Sequence, residues 1–509
     1  MARCGSPRQL SHHFLDQSAV APPFEPAGRP PPRPPARWTR GDRVCYDFQV
    51  TGRIAACWRR KRPRGARFSE AVLYQKTTLD NGLRIVSAEV PHARSVSTSL
   101  FIAAGSRHES DEVQGISHFI EHMLFKGTEK RPTPKDVSEA VEGIGGIFNA
   151  ESGKEVTVYW NKVARVHWPI ALEVLTDLLL HSLFKPEEVE KERKVIIEEL
   201  SMLLDTPGDW VHMLIDQAVW GDHALGRDVG GTRESVSAIQ RDQMLSYLRT
   251  HYVPANTVVA VAGAVGHAEV VDRVGSLLLD LPAGPATRWR EASIVQSAPR
   301  VEVRSKHTEQ AHLCLAVPGL SYVDPDRFAL DLLNIVLGEG MSSRLFLQIR
   351  EQKGLAYDVH SYTNYFSDTG SVVIYAGVDP KRAEETVEAC LAEVERLKQA
   401  GVDEDELGRA KEFWKGRTLL RLEDTRSIAA WLGSQELLLD RVLEVEEVVE
   451  KIEAVTTDAV QAIANRLFVP ERLSLAAIGP YRSDKRFMRL LSRPSAVSNQ
   501  QSAPVLAQA

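Results

Sequence analysis

The chain has 509 residues and a mass of 56.6 kDa, with 43% hydrophobic and 26% charged residues; this is ordinary globular usage and excludes a fibrous or wholly disordered protein. The longest uncharged apolar run, 256–266, falls far short of the roughly 20 residues a bilayer-spanning helix needs, so no membrane insertion is expected. Charge divides unevenly: residues 1–70 hold 14 Lys/Arg against 5 Asp/Glu, and the remainder 48 against 63, so an acidic body of net −15 follows a basic tail. Such a body does not suit nucleic acid and does suit cationic peptides.

Residues 1–70 contain ten prolines and the like-charge block Arg59-Arg60-Lys61-Arg62-Pro63-Arg64, the composition of a disordered extension. A mitochondrial transit peptide, a polybasic arm and upstream sequence included by an early start assignment are the three readings. The prolines speak against the amphipathic helix that a transit peptide requires. No apolar signal segment is evident, so the bacterial cytoplasm is the expected location, with the mitochondrial matrix as the alternative. Only Cys314 and Cys390 lie in the body and no CxxC pair occurs, which argues against a disulfide framework.

From Tyr74 the texture becomes regular. Residues 77–89 read as two short strands around the Asp80-Asn81-Gly82 turn, and 95–104 alternates as a strand does. Helical periodicity follows over 113–125, 134–144, 167–182 and 186–204. An internal repeat then sets the architecture. His251-Tyr-Val-Pro254 with the apolar run 256–263 resembles Leu467-Phe-Val-Pro470 with 473–479, an offset of 216 that also overlays the acidic helix starts near 185 and 401. The reading is an α/β fold, an α+β two-layer sandwich, of two homologous domains in which an antiparallel or mixed sheet is packed with helices. The boundaries are 1–70 extension, 71–283 N-terminal domain, 284–298 proline-bearing linker, 299–495 C-terminal domain and 496–509 tail.

Chemistry concentrates in the helix 113–125. His118 and His122 stand at i and i+4, so both imidazoles leave one face, and Glu121 flanks that face within reach of a water held there. The alternative is two solvated histidines on an amphipathic helix. Catalytic zinc takes three protein ligands, and the helix 186–204 offers two carboxylates, Glu192 and Glu199, seven residues apart on its apolar stripe Val189, Val195, Ile196, Met202, Leu203. A carboxylate on that stripe binds metal or is paired, for instance with Arg193 or Lys194. Glu198 is expected to face solvent.

His118-Phe-Ile-Glu-His122 with Phe125-Lys-Gly-Thr128, then Gly145-Gly-Ile-Phe-Asn149-Ala150, then Glu192-Arg-Lys-Val-Ile-Ile-Glu-Glu199 together resemble the zinc peptidases of the pitrilysin or insulinase family, its mitochondrial-processing-peptidase-like branch above all. The resemblance implies one Zn2+ per chain held by His118, His122 and Glu199, with Glu121 as base and Glu192 in support. It implies an edge strand at Asn149 and Ala150 that pairs with substrate main chain. It also implies that Arg350 and Tyr357 hold the scissile carbonyl, where residues alone would suggest a helix-terminal arginine and a packed tyrosine. Of two acidic positions that help processing peptidases read a substrate arginine, 10 and 14 residues past the ligand Glu, the first is Asp209 and the second is Met213, which departs from the pattern. At offset 216 the second copy presents Asn334, Leu337, Gly338 and Lys415 at the metal-site positions, so it lacks a metal site. The implied function is a zinc endopeptidase that hydrolyses unfolded peptides or presequence-like segments inside a chamber, working as a homodimer. The alternative is a non-catalytic structural subunit of the same fold, like the core proteins of the respiratory cytochrome complex.

Overall fold

A computed structural model describes residues 74–293 and 296–492; the expectations for 1–70 and 496–509 lie outside the described residues. Two sheets organise the body. The first contains β1 (Tyr74–Thr78), β2 (Arg84–Glu89), β3 (Ser95–Ile102), β4 (Ile147–Ser152), β5 (Thr157–Ala164) and β6 (Thr257–Gly263), in the order β1-β2-β6-β3-β5-β4. The second contains β7 (Arg300–Ser305), β8 (Ala311–Pro318), β9 (Ala356–Tyr365), β10 (Gly370–Val378) and β11 (Ser474–Gly479), in the order β7-β11-β8-β10-β9. Without β1 the two orders match strand for strand. Each sheet is mixed: β2 runs parallel to β6 and β7 parallel to β11, and the remaining pairs are antiparallel. This is the duplicated α+β architecture that the repeat predicts.

The predicted helices appear as α1 (Ile116–Leu124), α2 (Pro134–Glu142), α3 (Trp168–His181) and α4 (Pro186–Asp205). A fifth, α5 (Pro207–Trp220), follows α4 after one residue. Residues 282–293 and 296–298 carry no helix or strand.

The central strands show why an unbroken apolar run is needed. In β6, Val259 and Val261 enter a core with α1 and α3, while Val258, Ala260 and Ala262 enter another on the opposite face. A strand covered on both faces has no polar side to show. The second cover comes from the other half of the chain: helix Thr425–Leu439 lays Ile428, Ala429 and Leu432 on the first sheet. In return α5 lays Val211, Leu214, Ile215 and Val219 on Cys314, Ala316, Val373, Ala476 and Ile478 of the second sheet. The lobes therefore exchange helices, and the described residues belong to one compact unit. At the first of these contacts Gly433 is required, because a Cβ there would lie 2.1 Å from the Phe101 ring.

Buried ions fasten the same junction. Arg107, 2% exposed, reaches Glu155 at 2.5 Å in the β4–β5 turn and Asp368 at 2.7 Å in the β9–β10 turn. Glu155 in turn accepts from the backbone and hydroxyl of Ser367, each at 3.0 Å. On the exchanged helix Glu436, fully buried, meets Lys76 at 2.7 Å.

Candidate metal centre

α1 forms because Ile116, Phe119, Ile120, Met123 and Leu124, at the spacing of one helix face, sink into the first core. His118, Glu121 and His122 remain on the side that packs less tightly. Gly115 offers no side-chain cap; Glu109, 6% exposed, takes that place by accepting from the backbone of Gly115 at 2.7 Å and of Ser117 at 2.9 Å. A carboxylate against the positive end of the helix is favourable. The sequence did not single out Glu109, since a cap six residues upstream across a short turn leaves no local pattern.

α4 brings the third donor. His118 Nε2 and His122 Nε2 are 3.2 Å apart, and Glu199 Oε2 lies 3.9 Å from the first and 3.7 Å from the second. Among the described residues these three form the one group of at least three His, Cys, Asp or Glu whose ligand atoms converge, all within 4.8 Å. Three tetrahedral ligands about 2.1 Å from a zinc ion sit about 3.4 Å from one another. The set fits zinc in both spacing and chemistry, two imidazoles and one carboxylate.

Glu192, 6% exposed, is the second of the two α4 carboxylates placed on the apolar stripe, and its partners are not Arg193 or Lys194. Its Oε2 lies 3.1 Å from His122 Nδ1 and its Oε1 2.8 Å from Lys126 Nζ. Burial works to raise the Glu192 carboxyl, but His122 and Lys126 outweigh it and hold it below the ordinary value. Burial likewise works to lower His122, and Glu192, Glu199 and Glu121 raise it instead. Glu121 is pushed up to about 7, first by burial, with Glu151 and Glu199 adding to the rise and Ser152 and His122 opposing it. A divalent cation on the three donors would lower it.

The α4 stripe needs one correction. Val195 and Met202 are 42% and 52% exposed; the buried positions are Val189, Glu192, Arg193, Ile196 and Leu203. Arg193 is accommodated because its guanidinium lies 5.4 Å over the Phe119 ring and donates to the Val236 carbonyl. Glu198 is exposed as expected, and Glu199 is half-buried.

Asn149 and Ala150 fall on β4, the outermost strand of the first sheet, which packs beside α1. Arg350 and Tyr357 lie on the second lobe, the guanidinium 4.9 Å over the phenol ring. Tyr357 is 74% exposed, so it is not a packed core tyrosine. No hydrogen bond or ion pair joins this pair to Glu121, His122 or Glu199. Asp209 lies in the first turn of α5, beside Gly208, whose surroundings include His312 and Tyr375 of the second sheet. With burial first, Asp358, Cys314 and Asp209 raise the Tyr375 phenol, while Asp358 is itself lowered by His360 and, among others, Arg350. The corresponding positions of the second copy are packed instead: Asn334 Oδ1 accepts from Ser361 Oγ at 2.7 Å, and a Cβ on Gly338 would lie 2.4 Å from the Ser361 backbone nitrogen. Lys415 pairs with Glu412 and Glu453, each at 2.6 Å.

The description Insulinase (Peptidase family M16) matches residues 84–233, and Peptidase M16 inactive domain matches 238–413. An uncharacterized zinc protease of Streptomyces coelicolor is 41% identical over 422 residues, 82% of this chain and 91% of that protein. The chain belongs to the insulinase family, peptidase family M16. A second member, an uncharacterized zinc protease of Bacillus subtilis, is 38% identical over 80% of this chain and 98% of its own length. The family fold recurs in a protease from Helicobacter pylori, TM-score 0.76 at 22% identity over 81% of this chain and all of that one. It recurs again in a peptidase M16 inactive domain from Pseudomonas fluorescens, TM-score 0.75 at 20% identity over 81% and 99%. The M16 inactive-domain match includes Asn334 and Gly338, which stand where the first copy has histidines. Among the described residues no helix is long and apolar enough to cross a membrane.

Proposed function

We propose that this chain is a zinc-dependent endopeptidase of unfolded peptides. The observation that carries the reading is the convergence of His118, His122 and Glu199 within 4.8 Å. Glu121, one residue before a ligand, supplies the base and Glu192 braces His122. Zinc, when bound, supplies Lewis-acid polarisation of the scissile carbonyl and acidifies the attacking water. Glu121 takes the proton from that water and delivers it to the leaving amine. Glu192 accepts from His122 Nδ1, fixing the ring so that Nε2 faces the metal position. Substrate main chain adds to the outer edge of β4 at Asn149 and Ala150, which holds it extended and excludes folded proteins. Arg350 and Tyr357 donate to the oxyanion. Asp209, with Asp358 nearby, favours a basic side chain, a preference that the body's net charge of −15 reinforces. A homodimer completes the enclosure, and the bacterial relatives favour bacterial cytoplasm over the mitochondrial matrix.

The test compares Glu121→Gln with His118→Ala on a quenched unfolded basic peptide, with zinc measured by elemental analysis. Glu121→Gln is expected to keep its zinc and lose activity by roughly 100-fold to 10,000-fold; His118→Ala loses both. A Glu121→Gln enzyme with most of its turnover overturns the assignment.

A further inference from the structure

The two helices of the metal centre meet along a ladder that is one step longer than the metal needs. On α1 His118 and His122 stand four residues apart, and Lys126, just past the helix end, continues the same step. α4 passes them in the opposite sense and sets one carboxylate at each interval. Glu199 lies 3.9 Å from His118 Nε2 and 3.7 Å from His122 Nε2, while Glu192 lies 3.1 Å from His122 Nδ1 and 2.8 Å from Lys126 Nζ. The first interval converges on the metal position. In the second the ammonium of Lys126 is itself the cation. His122 stands in both and turns one ring nitrogen to each, so the charge on Glu192 reaches the metal position through that ring. Lys126 is held where it can govern this. Phe125 beside it packs on Phe148 with ring centroids 5.5 Å apart, the Gly127 carbonyl accepts from Leu183 at 3.0 Å, and only 25% of the lysine side chain is exposed.

We propose that Lys126 is a positioning residue of the metal centre, acting through Glu192: it holds one carboxylate oxygen and offsets its charge, and so limits how strongly the other oxygen draws on His122. A carboxylate on the far nitrogen of a ligating imidazole orients the ring and makes it a stronger donor. Orientation serves the site. Excess donation works against it, because a metal ion whose charge is neutralised by its ligands polarises a carbonyl or a water less. An ion pair between Glu192 and Lys126 keeps the first effect and restrains the second. The charges fit this role. When a divalent cation is bound, it and Lys126 face the three carboxylates Glu121, Glu192 and Glu199, and the centre is neutral. Without the ammonium there is an excess negative charge, and it sits on the carboxylate bonded to His122.

The inference rests on the peptidase reading, and the experiment separates the two. Wild type, Lys126→Gln, Lys126→Arg, Glu192→Gln and the double variant Lys126→Gln/Glu192→Gln are compared on the quenched peptide for kcat and KM. Glu121→Gln is the control, and competition with a chromophoric chelator gives the zinc affinity of each. Glutamine at 126 keeps a donor for Glu192 and removes the charge. Lys126→Gln is therefore expected to lose roughly 10-fold in kcat, within the range usual for partners of a metal ligand, with KM unchanged and zinc held at least as tightly as in wild type. Lys126→Arg, which keeps the charge, restores most of kcat. In the Glu192→Gln background no carboxylate charge remains to offset, and Lys126→Gln changes kcat by less than about 2-fold. A Lys126→Gln variant with wild-type kcat or weakened zinc binding, an arginine variant as slow as the glutamine one, or an equal loss in both backgrounds overturns the role of Lys126 alone. Equal hydrolysis by wild type and Glu121→Gln removes the peptidase reading and this inference with it.

Discussion

Glu192 is placed between His122, one of the three converging donors, and Lys126, at 3.1 and 2.8 Å. Glu192→Ala is expected to weaken zinc binding by roughly 10-fold to 100-fold, the usual effect of losing the partner of a ligating histidine, while Glu192→Gln, whose carbonyl still accepts from His122, falls between. Competition with a chromophoric chelator measures this, and unchanged affinity in the alanine variant would refute it. A second residue sets an acid limit. His108 is held down to about 3, first by burial and then by His251 and Arg107, so the folded chain keeps it neutral while the unfolded chain protonates it near 6.5. The contribution is present above pH 6.5 and declines as pH falls from there toward 3, by roughly 1 kcal/mol per pH unit. Denaturant unfolding at pH 7 and pH 5 should therefore show a smaller drop in His108→Gln than in wild type. His118 and His122 were legible as a pair because they stand at i and i+4 on α1, and Glu192 and Glu199 because they stand seven apart on α4; the choice of Glu199 as the third donor came from the family resemblance. The sequence did not reveal Glu109, whose hydrogen bonds to the start of α1 follow no periodic pattern.

Helix α4 shows both what periodicity can tell and where it stops. Its apolar residues mark a stripe, yet Val195 and Met202 lie at the margin and stay exposed, because burial depends on what packs against a helix and not on its own pattern. The converse holds for α5 and for helix Thr425–Leu439. Their apolar faces are readable, but no feature of either segment says that it covers the sheet of the other lobe. Gly433 is the clearest sign of how closely that cover fits. Gly433→Ala would drive a methyl group into the Phe101 ring and should destabilise the chain by about 1 to 3 kcal/mol, as overpacking does. Chemical denaturation is the measurement, and a variant as stable as wild type would mean that helix and sheet have room to part. At the edge of the same sheet β4 was legible as a strand only through its resemblance to the family, since Ile147-Phe148 and Glu151-Ser152 break the apolar–polar alternation of its sequence and Gly145 and Gly146 precede it.

At the scale of the molecule the duplication was visible as a repeat offset, and the two sheets reproduce it in strand order. The exchange of helices makes the halves interdependent. Val211, Leu214, Ile215 and Val219 would each forfeit about 2 kcal/mol if stripped of their sheet, and their combined loss is comparable with the 5 to 15 kcal/mol by which a whole domain is stable. Residues 71–283 and 299–495 produced separately are therefore expected to aggregate, and produced together to co-purify as a pair; a soluble, monodisperse N-terminal half by light scattering would contradict this. The same interlocking constrains how an extended polypeptide could ever reach α1. A hinge across 284–298 that swung the lobes apart would bare both sheets at once and rupture Arg107 from Glu155 and Asp368. Prising this chain open is the costly route. Entry by way of a gap between this body and a separate one disturbs none of those contacts.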